Sequence, residues 1–167
     1  MFGAWRWFGE PSPSRKRRTA AVCFWCARLA AHQLLRDQWR SGERDRELGL
    51  HLMSLAWYLL MEPEHFTGLD PAKANSGGLT ATLNEAHDWL LPLGSESDDA
   101  EVLYAAGLMA HLAPWLFGDS ATWSDRSEAY RSRHRHLAPK GINPVVFEGR
   151  GAYGDYFQGQ ARVQDGY

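Results

Sequence analysis

The chain of 167 residues contains two cysteines, Cys23 and Cys26, and a C-x-x-C pair closes no long loop, so a disulfide scaffold is excluded. A thioredoxin-type redox centre needs a strand ahead of its first cysteine. Here Ala-Ala-Val precedes Cys23 inside a helical pattern. Zinc would need a second Cys or His pair at ligand spacing, and the sequence has none. The two cysteines therefore read as small buried apolar residues, and neither a metal nor a cofactor is expected.

Long apolar runs are also lacking. The two longest, 48–61 and 102–117, each contain a histidine and fall short of the roughly 20 residues of a membrane span. The basic run Arg15, Lys16, Arg17, Arg18 precedes only a brief apolar stretch that Arg28 interrupts, a poor match to a secretory leader. No membrane contact and a cytoplasmic location are expected. Three lysines stand against fifteen arginines, with one isoleucine, a usage that fits a bacterial source.

Phosphate-binding turns are missing too. G-x-x-x-x-G-K-[ST] does not occur. Gly149, Gly151 and Gly154 do spell G-x-G-x-x-G, but a dinucleotide turn needs a strand before it and an acid on a further strand about 20 residues on. No strand pattern occurs anywhere in the sequence. The glycines are expected instead to permit tight turns that lay Phe147, Tyr153, Tyr156 and Phe157 across neighbouring helices or a partner.

What the chain has in quantity is aromatic and helical sequence, with eight Trp, seven Phe and six Tyr. The length fits one domain. Apolar spacing predicts helices over 19–40, 44–61, 79–91, 98–117 with a bend at Pro114, 122–137, and a short one near 153–163. Asp98 is expected as the N-cap of the fourth, with Glu101 three residues on completing a capping box. Thr122 with Asp125 should open the fifth. The fold class is all-α: one compact domain of five or six helices. It divides into an aromatic and basic arm (1–18), a helical domain (19–139) and a Gly- and aromatic-rich segment packed on it (140–167). A faint echo links GLHLMSLAW (49–57) with GLMAHLAPW (107–115), without the period of a repeat protein.

Charge is segregated. Residues 1–46 carry ten basic and four acidic side chains, 47–125 one and twelve, and 126–167 seven and four. The acidic middle marks a candidate partner surface comprising Glu62, Glu64, Asp70, Glu96, Asp98 and Asp99. Arg15 to Arg18 form a candidate nucleic-acid contact. Glu47, His51 and Ser54 lie at i, i+4 and i+7 on one helix face, and His111 sits within another apolar helix. These four are candidate buried polar groups, the kind of setting in which an imidazole does acid-base work or is held by core hydrogen bonds.

Arg131 to His136 reads R-S-R-H-R-H. As R-x4-H, with Arg131 and His136, it resembles the motif of HEPN endoribonucleases, small all-helical enzymes that cut RNA without metal. The resemblance implies that His136 handles the 2′-hydroxyl proton and Arg131 the scissile phosphate, with a second copy supplied by a dimer. The leading expectation is different: a non-enzymatic protein-binding protein of the bacterial cytoplasm, such as an immunity or antitoxin-like inhibitor or an adaptor.

Overall fold

Helix boundaries in this chain are set by aspartates, prolines and glycines at the element ends, and the computed structural model shows each at work. The structure describes residues 28–61, 76–92 and 97–163. Among these, six α-helices form one compact all-helical arrangement without strands. Helix α1 is described over 28–40. It is followed by α2 (Arg46–Met61), α3 (Ser76–Leu90), α4 (Ala100–Leu112), α5 (Ser120–Leu137) and α6 (Gly151–Arg162). Single 3-10 turns, Pro114–Leu116 and Pro144–Phe147, precede α5 and α6. The cysteine pair and the Arg15 to Arg18 run lie outside the described residues, as do Glu62, Glu64, Asp70 and Glu96.

The cap of α4 is Asp99 rather than the expected Asp98. Its carboxylate accepts from the backbone N–H groups of Glu101 and Val102, each at 3.0 Å. Two adjacent aspartates are equivalent to local propensity. Arg46, arriving from α2, holds Asp99 in the capping position with a two-pronged contact to its carboxylate. The same helix stops at Leu112, short of the expected 117, because Pro114 brings no N–H and starts a 3-10 turn instead. For α5 the cap is Asp119, whose carboxylate takes both the N–H (2.9 Å) and the hydroxyl (2.8 Å) of Thr122. The helix therefore begins two residues before the expected Thr122.

Packing follows the apolar content. Every residue of α4 from Val102 to Ala110 is buried, and α2 buries nine of its sixteen. Helix α4 lies along α5, and α2 along α3. The echo between 49–57 and 107–115 has a packing meaning, since its two glycines are crossing points. A Cβ on Gly49 would sit 3.2 Å from the Leu90 side chain, and one on Gly107 would sit 3.1 Å from Arg131 Cγ. Ser127 Oγ donates to the Gly107 carbonyl at 2.9 Å and fixes the second crossing.

The C-terminal aromatics enter the same core. Phe147, Tyr153 and Phe157 are buried with Tyr104 of α4, with ring centroids 4.9–6.1 Å apart, and Tyr156 packs on Trp57 at 5.7 Å. Gly149 (φ +74°) and Gly151 (φ +60°) take left-handed conformations that turn the chain from the 3-10 segment into α6. Gly154 lets the Phe147 carbonyl approach, since a Cβ there would lie 2.1 Å from that oxygen. Chain geometry thus accounts for all three glycines of the G-x-G-x-x-G spelling.

Candidate functional site

The polar stripe read from α2 grows, in three dimensions, into a network that three helices share. Glu47 Oε1 accepts from His51 Nε2 at 2.9 Å and from Arg150 Nε at 2.6 Å, and Arg150 Nη2 contacts the other Glu47 oxygen. Arg150 also donates through Nη1 to Glu101 Oε1 at 2.5 Å, where the Tyr153 hydroxyl donates at 2.5 Å. Arg46 completes the set, donating from Nη2 to Glu101 Oε2 at 2.7 Å. Burial pulls the Glu47 carboxyl upward, but the hydrogen bonds from Arg150 and His51 outweigh it and hold the group below the usual range. Burial, reinforced by the Glu101 carboxylate, pushes the Tyr153 phenol far up, so it stays a donor. Each charge in the network has an opposite partner, and its chemistry is that of a clasp joining α2, α4 and the start of α6.

Two of the four expected buried polar groups are exposed. Glu47 lies at the surface end of the clasp, and His111 is exposed because the early end of α4 leaves it in the last turn instead of mid-helix. His51 is half-buried, its ring 5.2 Å from that of Tyr153. Ser54 is buried, and its hydroxyl has no partner among the described residues. The buried imidazoles are others. His87 donates from Nδ1 to Asp88 at 2.9 Å and accepts from the Tyr130 hydroxyl at 3.1 Å, in a box closed by Phe117 and Trp123. Burial pushes its pKa below the ordinary imidazole value, against the pull of Asp88. At 1% exposure it is sealed from any substrate and acts as a core hydrogen-bond hub. His134 donates from Nδ1 to the Ala100 carbonyl at 2.8 Å.

The acids of the expected partner surface that the structure describes serve the fold. Asp98, although exposed, receives Arg133 Nη2 at 2.5 Å, and Asp99 is the cap held by Arg46. Burial raises the Asp99 carboxyl, but the Arg46 guanidinium and the backbone N–H groups of Val102 and Glu101 together outweigh it and hold the group below its usual range.

Arg131 and His136 part company on α5. Five residues at 100° each put them about 140° apart around the helix. Arg131, His134, Arg135 and Ala138 share one face and line a cavity of about 600 Å³ over Tyr104, Leu108 and Ala161, closed on its far side by residues 139–144. His136 is exposed and outside that lining. The imidazole beside Arg131 in the cavity is His134, which the R-x4-H spelling does not include.

A different surface stands out at the end of α4. Leu112 is 38% and Trp115 59% exposed, although the residues on either side of Trp115's turn, Ala113 and Phe117, are buried. Among the described residues no helix is long and apolar enough to cross a membrane, and no group of three His, Cys, Asp or Glu is placed to hold a metal ion. Compared with known proteins, the chain matches no protein family, no curated protein and no solved structure.

Proposed function

We propose that the chain is a non-enzymatic protein-binding protein of the bacterial cytoplasm, of the immunity or antitoxin-like inhibitor or adaptor kind, and that Trp115 anchors its partner. The exposure of Trp115 on a fixed turn carries this reading. Tryptophan is the side chain most enriched among residues that dominate binding energy, because it offers large area for few rotatable bonds. Ala113 and Phe117, buried on either side, hold the backbone beneath it, and Pro114 fixes φ at the start of the turn. Little ordering entropy is then lost on binding. In the acidic middle, Glu47, Asp98, Asp99 and Glu101 are engaged by Arg46, Arg133 and Arg150. With Leu112 and Trp115 both exposed there, the anchor offers its partner shape and apolar area.

The test compares affinity-tagged wild type with W115S in the source cell. The reading expects one protein recovered in stoichiometric amount with wild type and lost with W115S, whose thermal unfolding stays within a few degrees of wild type. Unchanged recovery with W115S would remove Trp115 from the interface. Cleavage of RNA by the purified protein, abolished by H136A, would replace the binding protein with a ribonuclease.

A further inference from the structure

The cavity beside α5 has a composition that the anchor at Trp115 does not explain. Its lining includes Arg131, Arg135 and Lys140 and no acidic residue. One carboxylate, Glu128, serves both arginines from outside the lining, accepting from Arg135 Nη2 at 2.7 Å and from Arg131 Nη1 at 3.4 Å. Among the described residues Arg135 is paired with Glu128 and no carboxylate is paired with Lys140, so this side of the wall keeps positive charge. The floor is apolar, built from Tyr104, Leu108, Ile142 and Ala161. His134, held by the Ala100 carbonyl as the Nδ1–H tautomer, keeps Nε2 for a second interaction. A volume of about 600 Å³ lies inside the range of small-molecule sites, which are concave, largely apolar and fitted with a few converging polar groups.

We infer that this cavity is a binding site for a small organic carboxylate with an aliphatic or aryl body. The guanidinium fork of Arg135 and the ammonium of Lys140 meet the carboxylate, while the body lies on Tyr104, Leu108 and Ile142. Glu128 restrains the arginine side chains before the ligand arrives, which lowers the entropy cost of binding. This inference stands independently of the protein-binding reading, because Trp115 and Leu112 are not part of the lining.

Ile142 makes the test selective, since it is the only isoleucine of the chain and lines the cavity. Its δ1-methyl gives a single resonance in a methyl-labelled sample. Octanoate is titrated as the probe, with octanol as the uncharged counterpart and inorganic phosphate as the anion without a body. The expected result is a saturable shift of the Ile142 methyl with octanoate. Octanol and phosphate should each bind roughly tenfold more weakly or less, and R135Q/K140Q should lose about tenfold in octanoate affinity. Both substitutions lie at exposed positions, and the unperturbed core methyl spectrum reports that the variant is folded. An Ile142 methyl that octanoate leaves unmoved overturns the site. Equal binding of octanol, or an unaffected R135Q/K140Q variant, overturns the carboxylate, and equal binding of phosphate overturns the apolar body.

Discussion

Arg150 Nη1 donates to Glu101 Oε1 at 2.5 Å, tying the residue just before α6 to the first turn of the central helix α4. The same guanidinium reaches Glu47 of α2, but the two carboxylates differ in setting: the Glu101 side chain is 11% exposed and that of Glu47 is 48%. Water screens the second pair far more than the first. Double-mutant cycles read from urea unfolding should give a coupling on the order of 2 kcal/mol for Arg150 with Glu101 and less than about 1 kcal/mol for Arg150 with Glu47. Equal couplings would contradict this ranking.

The aromatics that follow the clasp are core residues. Phe157 is 1% exposed and stacked with Phe147. F157A should cost roughly 3–5 kcal/mol by chemical denaturation, the range for removing a buried aromatic ring. Truncation after Lys140 removes Phe147, Tyr153 and Phe157 together and should lower the melting temperature further or prevent folding. A truncated chain as stable as the full one would show the segment to be a passive tail.

Two glycines of α6 should respond with opposite signs. A Cβ at Gly154 meets the Phe147 carbonyl oxygen at 2.1 Å, whereas one at Gly159 meets nothing within 4 Å. G154A should destabilise by roughly 1–3 kcal/mol, because backbone has to move. G159A should stabilise by about 0.5–1 kcal/mol, the helix-propensity difference between alanine and glycine. Thermal melts of the two variants give the signs directly.

The pH dependence follows from His87. Its folded pKa lies below the ordinary 6.5, because burial disfavours the charged ring. The folded state thus binds that proton less readily than the unfolded chain. The contribution to stability is complete above about 6.5 and is lost as pH falls towards the lowered folded value, at up to about 1.4 kcal/mol per pH unit. His32, lowered by burial and by Arg36, acts in the same direction. Glu47 and Asp99, held low by their arginines, extend the decline into the carboxylate range, where their stabilisation disappears as pH drops through the folded values. In H87Q the slope just below 6.5 should shrink, whatever the absolute stability of that variant. An unchanged slope would assign the titration to another group.

Much of this fold is legible in the sequence, and the misses have physical causes. The apolar runs of α2 and α4 announce two buried helices, and the aromatic C-terminal segment announces residues that must be covered. The choice of Asp99 over Asp98 as cap is not local, since Arg46, 53 residues away in sequence, makes it. Expecting α4 to run through Pro114 placed His111 in the interior, and ending the helix at Leu112 brings that residue to the surface. Helix α5 looks polar all round, which hides His134. The signal that could have found it is the series Trp123, Ser127, Tyr130 and His134, spaced four, three and four, which marks the buried face. The Glu47 and His51 pair was visible, but Arg150 is 103 residues from Glu47 and no pattern announces it.

The proposed role of Trp115 as partner anchor is tested most directly by placing a photo-crosslinking amino acid at position 115 and irradiating the source cells. The account predicts one discrete crosslinked species that contains a second, different protein, and none from a control placed at the exposed position Ala129. Crosslinks at 115 to RNA alone, to no protein, or to as many proteins as at 129 would contradict it.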